Sequence, residues 1–247
     1  QLWLNKNEFC NYLNINKVTH IDATPTFLGQ YDFSKTLSLK RLIVGGEALS
    51  KECYTKIALE NNSKIINVYG PTEVSITSIV NIIQDNIIAI GSPISNTKCY
   101  VLDNNFNPLP IGAIGELYIG GVGLARGYLN KPELTSEMFI TNFFQSEREK
   151  KEDRNARLYK TGDLVRWLPN GNLEYIGRND FQVKIRGYRI ELGEIESALS
   201  LFEGIRQSVV LAREHIDIEG VSTGNKYLVG YYVSDSKLNE EDILNYL

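Results

Sequence analysis

Apolar and polar positions change rhythm along the chain, and each change predicts a different kind of layer. In the first eighty residues, helical and strand patterns alternate. The spacing predicts a helix over 5–13, a short β-prone run over 18–21, and a helix within 25–31 with Thr24 as cap and Pro25 at its first position. An apolar strand over 39–44 runs into Gly45-Gly46. A helix over 50–60 is capped by Ser50, with Cys53 standing where Glu or Gln would complete a capping box. Another strand follows over 64–68. Strands and helices alternating at this spacing imply a parallel sheet covered by helices.

After about Thr77 the runs become short and β-prone, as at 100–102 and 116–119, with Pro and Gly between them, which predicts a β-rich subdomain. The charge run SEREKKEDRN at 146–155 reads as a solvated loop. Pro169-Asn170-Gly171-Asn172 predicts a turn between strands over 165–168 and 173–176. From Phe181 onward the pattern predicts paired strands at 182–185 and 188–190 around Gly187, then an amphipathic helix over 192–201. Strands over 205–212 and 227–233 follow, and a helix begins at 239. A boundary near Asp180 divides the chain into 1–180 and 181–247. The expected fold class is α/β and α+β: a parallel sheet with helices plus a β-rich subdomain, followed by a small α+β domain.

Composition narrows the partners. At 247 residues the chain can bury a sizeable core, and 43% hydrophobic with 23% charged residues is ordinary for a globular protein. A net charge of -4 argues against nucleic acid as a main partner, because phosphate binding shows as a basic surplus. No apolar run reaches the roughly 18 residues a membrane helix needs. No signal-peptide pattern opens the chain, and the only Met is Met138, so the sequence reads as an excerpt of something longer. Cys10, Cys53 and Cys99 are odd in number and lack metal-ligand spacing, which fits free thiols in a reducing cytoplasm. His20 and His215 are too few and too separated for a metal site or a Ser-His-Asp triad.

Candidate chemistry begins where a buried strand ends. Asn67-Val68-Tyr69-Gly70-Pro71-Thr72-Glu73 places an amide, an aromatic ring, a hydroxyl and a carboxylate in a loop at the carboxyl end of a strand, where parallel sheets bind ligands. The ring can stack on a base, Asn67 can read a base edge, Thr72 can bond a phosphate oxygen and Glu73 can hold Mg²⁺. The glycine-rich run 115–128 lacks the strand-to-helix context of a dinucleotide fingerprint, and it predicts a tightly turning backbone in a structural role. Tyr159-Lys160-Thr161-Gly162-Asp163 offers a carboxylate suited to ribose hydroxyls. Arg178, Lys184, Arg186 and Arg189 gather cations that either face polyphosphate or decorate an exposed hairpin.

Taken in order, these motifs resemble the adenylation domains of nonribosomal peptide synthetases, members of the adenylate-forming superfamily. The resemblance rests on the Asn67–Glu73 loop, the Ala125-Arg126-Gly127-Tyr128 end of the glycine-rich run, and Pro132-Glu133-Leu134-Thr135. It continues through Tyr159–Asp163, Arg166-Trp167-Leu168-Pro169, Gly177-Arg178-Asn179-Asp180 and Lys184-Ile185-Arg186-Gly187. It covers the chain from about Lys17 to Leu247.

The resemblance implies activation of an amino acid with ATP and Mg²⁺ to an aminoacyl-AMP, then transfer to the phosphopantetheine thiol of a carrier protein. Residues 1–180 would be the C-terminal part of the large adenylation subdomain, and 181–247 a small lid. Carried over, Asn67 contacts adenine, Tyr69 stacks on it, Thr72 bonds the α-phosphate and Glu73 holds Mg²⁺. Asp163 grips the ribose, Tyr175 lines the nucleotide pocket, and Arg178 reaches ribose or phosphate. Asp180 matches a hinge, and Lys184 serves thiol transfer. Asp22, Ile43, Gly45, Val68, Ile76 and Thr77 match positions that read the substrate side chain, with Asp22 an unusual acidic wall. The implied partners are the amino acid, a peptidyl carrier domain and other synthetase domains, without nucleic acid or membrane. The family's phosphate loop and its second catalytic lysine are not in these 247 residues, so the stretch alone is expected not to adenylate. The rivals are an acyl-CoA or aryl-acid ligase of the same superfamily and a non-catalytic carrier-docking fragment.

Overall fold

A computed structural model describes residues 6–57, 64–84, 87–216 and 222–247, and the chain divides into two compact units, Gln1–Asn179 and Asp180–Leu247. The last residues expected in the third helix, 58–60, lie outside the described ones. No helix among the described residues is long and apolar enough to cross a membrane.

The first unit opens with α1 (Lys6–Ile15), β1 (His20–Ala23), α2 (Pro25–Leu28), β2 (Arg41–Gly45), α3 (Lys51–Ile57) and β3 (Lys64–Tyr69). Thr24 caps α2 by accepting from the Phe27 N–H at 3.3 Å, and Ser50 accepts from the Cys53 N–H at 3.0 Å. β1, β2 and β3 are parallel neighbours, as the alternation predicts. The sheet is nonetheless mixed, because β4 (Ile79–Ile83) and β5 (Ser92–Pro93) add antiparallel. The link from β3 to β4 is too short for a parallel crossover, which takes about a dozen residues or more.

Strand registers sort the side chains into two faces. Leu42, Val44, Ile65 and Ile83 lie on one face and join Phe9, Leu13, Leu28 and Ile57 in a closed core. Fully burying each such side chain is worth about 1.5–3 kcal/mol. The other face carries Asp22, Ile43 and Ile66 in one row and Gly45, Val68 and Val80 in the next, and it stays half open.

The β-rich part contains β6 (Thr97–Leu102), β7 (Gly115–Gly121), α4 (Pro132–Met138), β8 (Phe139–Thr141), α5 (Glu147–Lys151), β9 (Arg157–Trp167) and β10 (Leu173–Arg178). It forms an antiparallel sheet in the order β10-β9-β7-β6, with β8 beside β9. Two expectations are corrected here. The first half of the glycine-rich run is strand β7 rather than a tight turn, and its glycines serve close packing. A Cβ at Gly115 would lie 2.6 Å from the Leu102 carbonyl oxygen, and one at Gly120 would lie 2.8 Å from Leu158 Cδ2. The charge run is not merely a solvated loop, because Ser146 and Glu149 form a full capping box that starts α5. Glu149 is buried there and receives Lys98 Nζ at 2.6 Å.

The second unit begins with the hairpin β11 (Gln182–Ile185) and β12 (Tyr188–Glu191). Its two-residue turn has Arg186 at φ 52° and Gly187 at φ 80°, the two left-handed residues of a type I′ turn. α6 (Leu192–Ser200), β13 (Ile205–Ile216), β14 (Ser222–Ser234) and α7 (Glu240–Tyr246) follow around Leu192, Leu199, Val210 and Ile243.

Candidate active site

The site is built where β3 ends. Residues alternate along the strand, so Asn67 and Tyr69 turn to its buried face and Val68 to the open one. Asn67 is 4% exposed, and its Nδ2 donates to the Ala89 carbonyl at 2.9 Å. Asn81 donates to the same carbonyl at 3.1 Å, so the two amides pin the segment after β4 against β3.

The loop after Tyr69 turns back hard. A Cβ at Gly70 would lie 2.3 Å from the Ile76 carbonyl oxygen, so only glycine fits. Ser75 at φ 62° and Ile76 at φ 69° are both left-handed, and a β-branched residue is rare in that region. Such strain costs about 1–3 kcal/mol per residue and persists only where surrounding bonds hold it. Here Ser78 N–H donates to the Tyr69 carbonyl at 2.9 Å, Ser75 Oγ to the Gly123 carbonyl at 2.8 Å, and Ala125 N–H to the Glu73 carbonyl at 2.8 Å. A 3-10 turn, Thr72–Val74, then sends Glu73 inward and leaves Thr72 exposed.

Glu73 accepts from the Tyr128 hydroxyl at 2.7 Å. Burial, with Tyr159 and the Glu73 carboxylate beside it, pushes the Tyr128 hydroxyl far up, so it remains a donor. Among the described residues no three or more His, Cys, Asp or Glu side chains gather to hold a metal. A single carboxylate suits Mg²⁺ that takes its remaining oxygens from phosphate and water.

Asp163 is placed by two bulges, one in β9 against β7 and one in β10 against β9. In β9, Thr161, Gly162 and Asp163 oppose one residue of β7, with Gly162 left-handed at φ 73°. In β10, Ile176 is the extra residue, which brings Arg178 opposite Asp163. The bulge is held by side chains: Thr161 Oγ1 donates to the Leu117 carbonyl at 2.7 Å, and Gly162 N–H donates to Glu116 Oε1 at 3.0 Å. Asp163 is 2% exposed and accepts on both oxygens, from Arg178 Nη1 at 2.8 Å on Oδ1 and from the Tyr69 hydroxyl on Oδ2. Burial first, then the Asp163 charge, raises the Tyr69 hydroxyl well above its ordinary value and keeps it protonated. Tyr175, half-buried on β10, lies near enough to add to that effect.

The fold thus brings Tyr69, Asp163, Arg178 and Tyr175 together, with Asn67 two residues back on β3 and the Glu73–Tyr128 pair beside the loop. Both oxygens of Asp163 already carry a partner from the chain, which the sequence reading did not foresee. Asp22, Ile43, Gly45 and Val68 share the open face, while exposed Ile76 and half-exposed Thr77 stand in the loop beyond it. In the second unit, Lys184 pairs across the hairpin with Arg189, and Asp180 Oδ1 accepts from the Gln182 N–H at 3.1 Å. Tyr128, Glu116 and Thr161 were not singled out as site residues, although each lies inside a motif quoted for the resemblance or beside one. All three cysteines are free thiols.

The AMP-binding enzyme family profile matches residues 2–129, more than half of the chain, and the chain belongs to that family. It is 48% identical over 242 residues to the N-(5-amino-5-carboxypentanoyl)-L-cysteinyl-D-valine synthase of Amycolatopsis lactamdurans, covering 96% of this chain and 6% of that protein. It is 43% identical over 238 residues to bacitracin synthase 3 of Bacillus licheniformis, covering 96% of this chain and 4% of that one. The chain therefore spans a small part of the curated relatives it matches. Among solved structures, an NRPS protein containing adenylation and PCP domains, bound to a vinylsulfonamide inhibitor, superposes with a TM-score of 0.84 at 25% identity, over 98% of this chain and 42% of that chain. A four-domain nonribosomal peptide synthetase bound to AMP and glycine does so with a TM-score of 0.64 at 36% identity, over 96% of this chain and 17% of that chain.

Proposed function

We propose that this chain is part of an adenylation domain that activates an amino acid within a nonribosomal peptide synthetase. The observation that carries the reading is the buried Asp163, aimed by two bulges and steadied by Tyr69 and Arg178 beside the β3 loop. A carboxylate offers about four acceptor sites, so two remain for the ribose hydroxyls. Tyr69, anchored through its hydroxyl, presents its ring to adenine. Asn67, with Nδ2 fixed on Ala89, has its amide oxygen for the exocyclic amine. Tyr175 closes the pocket wall, and Arg178 sits beside the ribose.

Thr72 donates to the α-phosphate, and Glu73 holds Mg²⁺, with Tyr128 setting the carboxylate's orientation. Bound there, Mg²⁺ neutralises phosphate charge. The amino acid's carboxylate attacks the α-phosphorus, the bond to the β-phosphate's bridging oxygen breaks, and pyrophosphate leaves. The phosphopantetheine thiolate of a carrier domain then attacks the acyl carbon and AMP leaves. Residues 1–180 act as the C-terminal part of the large subdomain and 181–247 as its lid, with Asp180 the hinge and Lys184 serving the second step. The catalytic work is positioning and charge neutralisation. ATP use and the three free thiols fit the cytoplasm.

Amino-acid-dependent ATP–pyrophosphate exchange on the full-length protein tests this. Asp163→Asn should raise the KM for ATP about 10- to 100-fold, the worth of a hydrogen bond to a charged group. Exchange driven only by acyl or aryl acids would move the chain to that branch of the superfamily. A folded protein that binds no nucleotide would leave the carrier-docking reading.

A further inference from the structure

We infer that the amino acid this chain selects carries a positively charged aliphatic side chain, held by Asp22; this rests on the adenylation reading above. β1, β2 and β3 run parallel, so Asp22, Gly45 and Val68 all lie toward the same carboxyl edge, the edge at which such sheets take ligands. They also lie on the same face, opposite the face that holds Asn67 and Tyr69. β3 thereby puts the nucleotide groups on one side and this surface on the other.

The surface has a definite chemistry. Ile43, Ile66, Val68 and Val80 make it aliphatic and half open. Gly45 lets Val68 pack directly over it, since a Cβ there would come within 2.5 Å of Val68 Cγ2. Asp22 is the one acid among the residues in register there, and it is exposed. Among the described residues its carboxylate has no ion pair and no hydrogen bond. The cations on the same face stand toward the other edge, where Arg41 Nη1 is bonded to His20 Nε2 at 2.7 Å. An aliphatic wall ending in an uncompensated carboxylate matches a methylene stem that ends in an ammonium group. A neutral side chain of the same length would cover the acid without pairing it, and an acidic one would be repelled.

The test is pyrophosphate exchange on the full-length protein with ornithine, lysine and 2,4-diaminobutyrate against norleucine, citrulline and glutamate. Exchange whose KM for ATP rises in Asp163→Asn is assigned to this chain. Within that exchange, at least one diamino acid should exceed its neutral counterpart about tenfold or more, a difference of about 1.4 kcal/mol. Asp22→Asn should erase that preference while Asp22→Glu keeps part of it, with melting temperatures unchanged. A preference for a neutral or acidic amino acid, or a cationic preference indifferent to Asp22→Asn, overturns the inference and leaves the adenylation reading standing. If no amino acid supports exchange sensitive to Asp163→Asn, the adenylation reading itself falls, and this inference with it.

Discussion

Asp163 meets the end of β3 and Asp22 lies two strands away on β1, and the chain treats these two carboxylates oppositely. Asp163 is 2% exposed, with its charge met by Arg178 and its second oxygen by Tyr69. Asp22 stands exposed on an aliphatic face and is met by nothing among the described residues. The first charge is compensated inside the fold, so disturbing it should damage the fold as well as the chemistry. The second is left for something outside, so disturbing it should change selection and little else.

That contrast can be broken or sharpened by measurement. The largest effect should come from Arg178→Met, which leaves the Asp163 charge buried without its cation. Chemical denaturation should show a loss of about 3–5 kcal/mol. Tyr69→Phe removes only the donor to Oδ2 and should lower stability by about 1–3 kcal/mol in the same experiment. A loss below that from Arg178→Met would mean that Asp163 is less enclosed than its partners indicate. On the other face, Gly45→Ala drives a methyl into Val68 and should cost about 1–3 kcal/mol in the same experiment.

Glu149 stands between the two cases, buried yet beside half-exposed Lys98. Lys98 first, then the Ser146 and Asn155 hydrogen bonds, hold its carboxyl well below the usual range. A depressed acid adds stability above its unfolded value and loses it as the pH falls toward the folded one. Lys98→Met should therefore lower the melting temperature at neutral pH, and the gap from wild type should close in strong acid. The smallest effect should come from Asp22→Asn, whose stability change should stay within about 0.5 kcal/mol.

Much of the fold was legible because its signals are local. Thr24 before Pro25, Ser50 before the third helix and the Asn170-Gly171 turn are read within a few residues, and each does locally what its chemistry predicts. The loop Asn67–Glu73 was legible for the same reason, since it follows an apolar strand directly. Pairings that fold together distant segments were not. Tyr69 and Asp163 are 94 residues apart in the chain, and Tyr128 and Glu73 are 55 apart. No periodicity reports such contacts. The paired bulges of β9 and β10 were invisible too, because Gly162 in a strand-like run looks the same whether or not it takes φ 73°. At 146–155 the density of charge masks Ser146 and Glu149, whose spacing alone signals a helix start.

The two-residue alternation of β3 also bears on how such a protein can change over generations. Residues 67 and 69 look one way and residues 66 and 68 the other, with 43 and 45 beside them on that second side. A lineage can therefore rewrite what it selects, one substitution at a time at Asp22, Ile43, Gly45 or Val68, while the groups assigned to the nucleotide stay as they are. Inherited novelty and inherited constancy are separated by the thickness of a single strand.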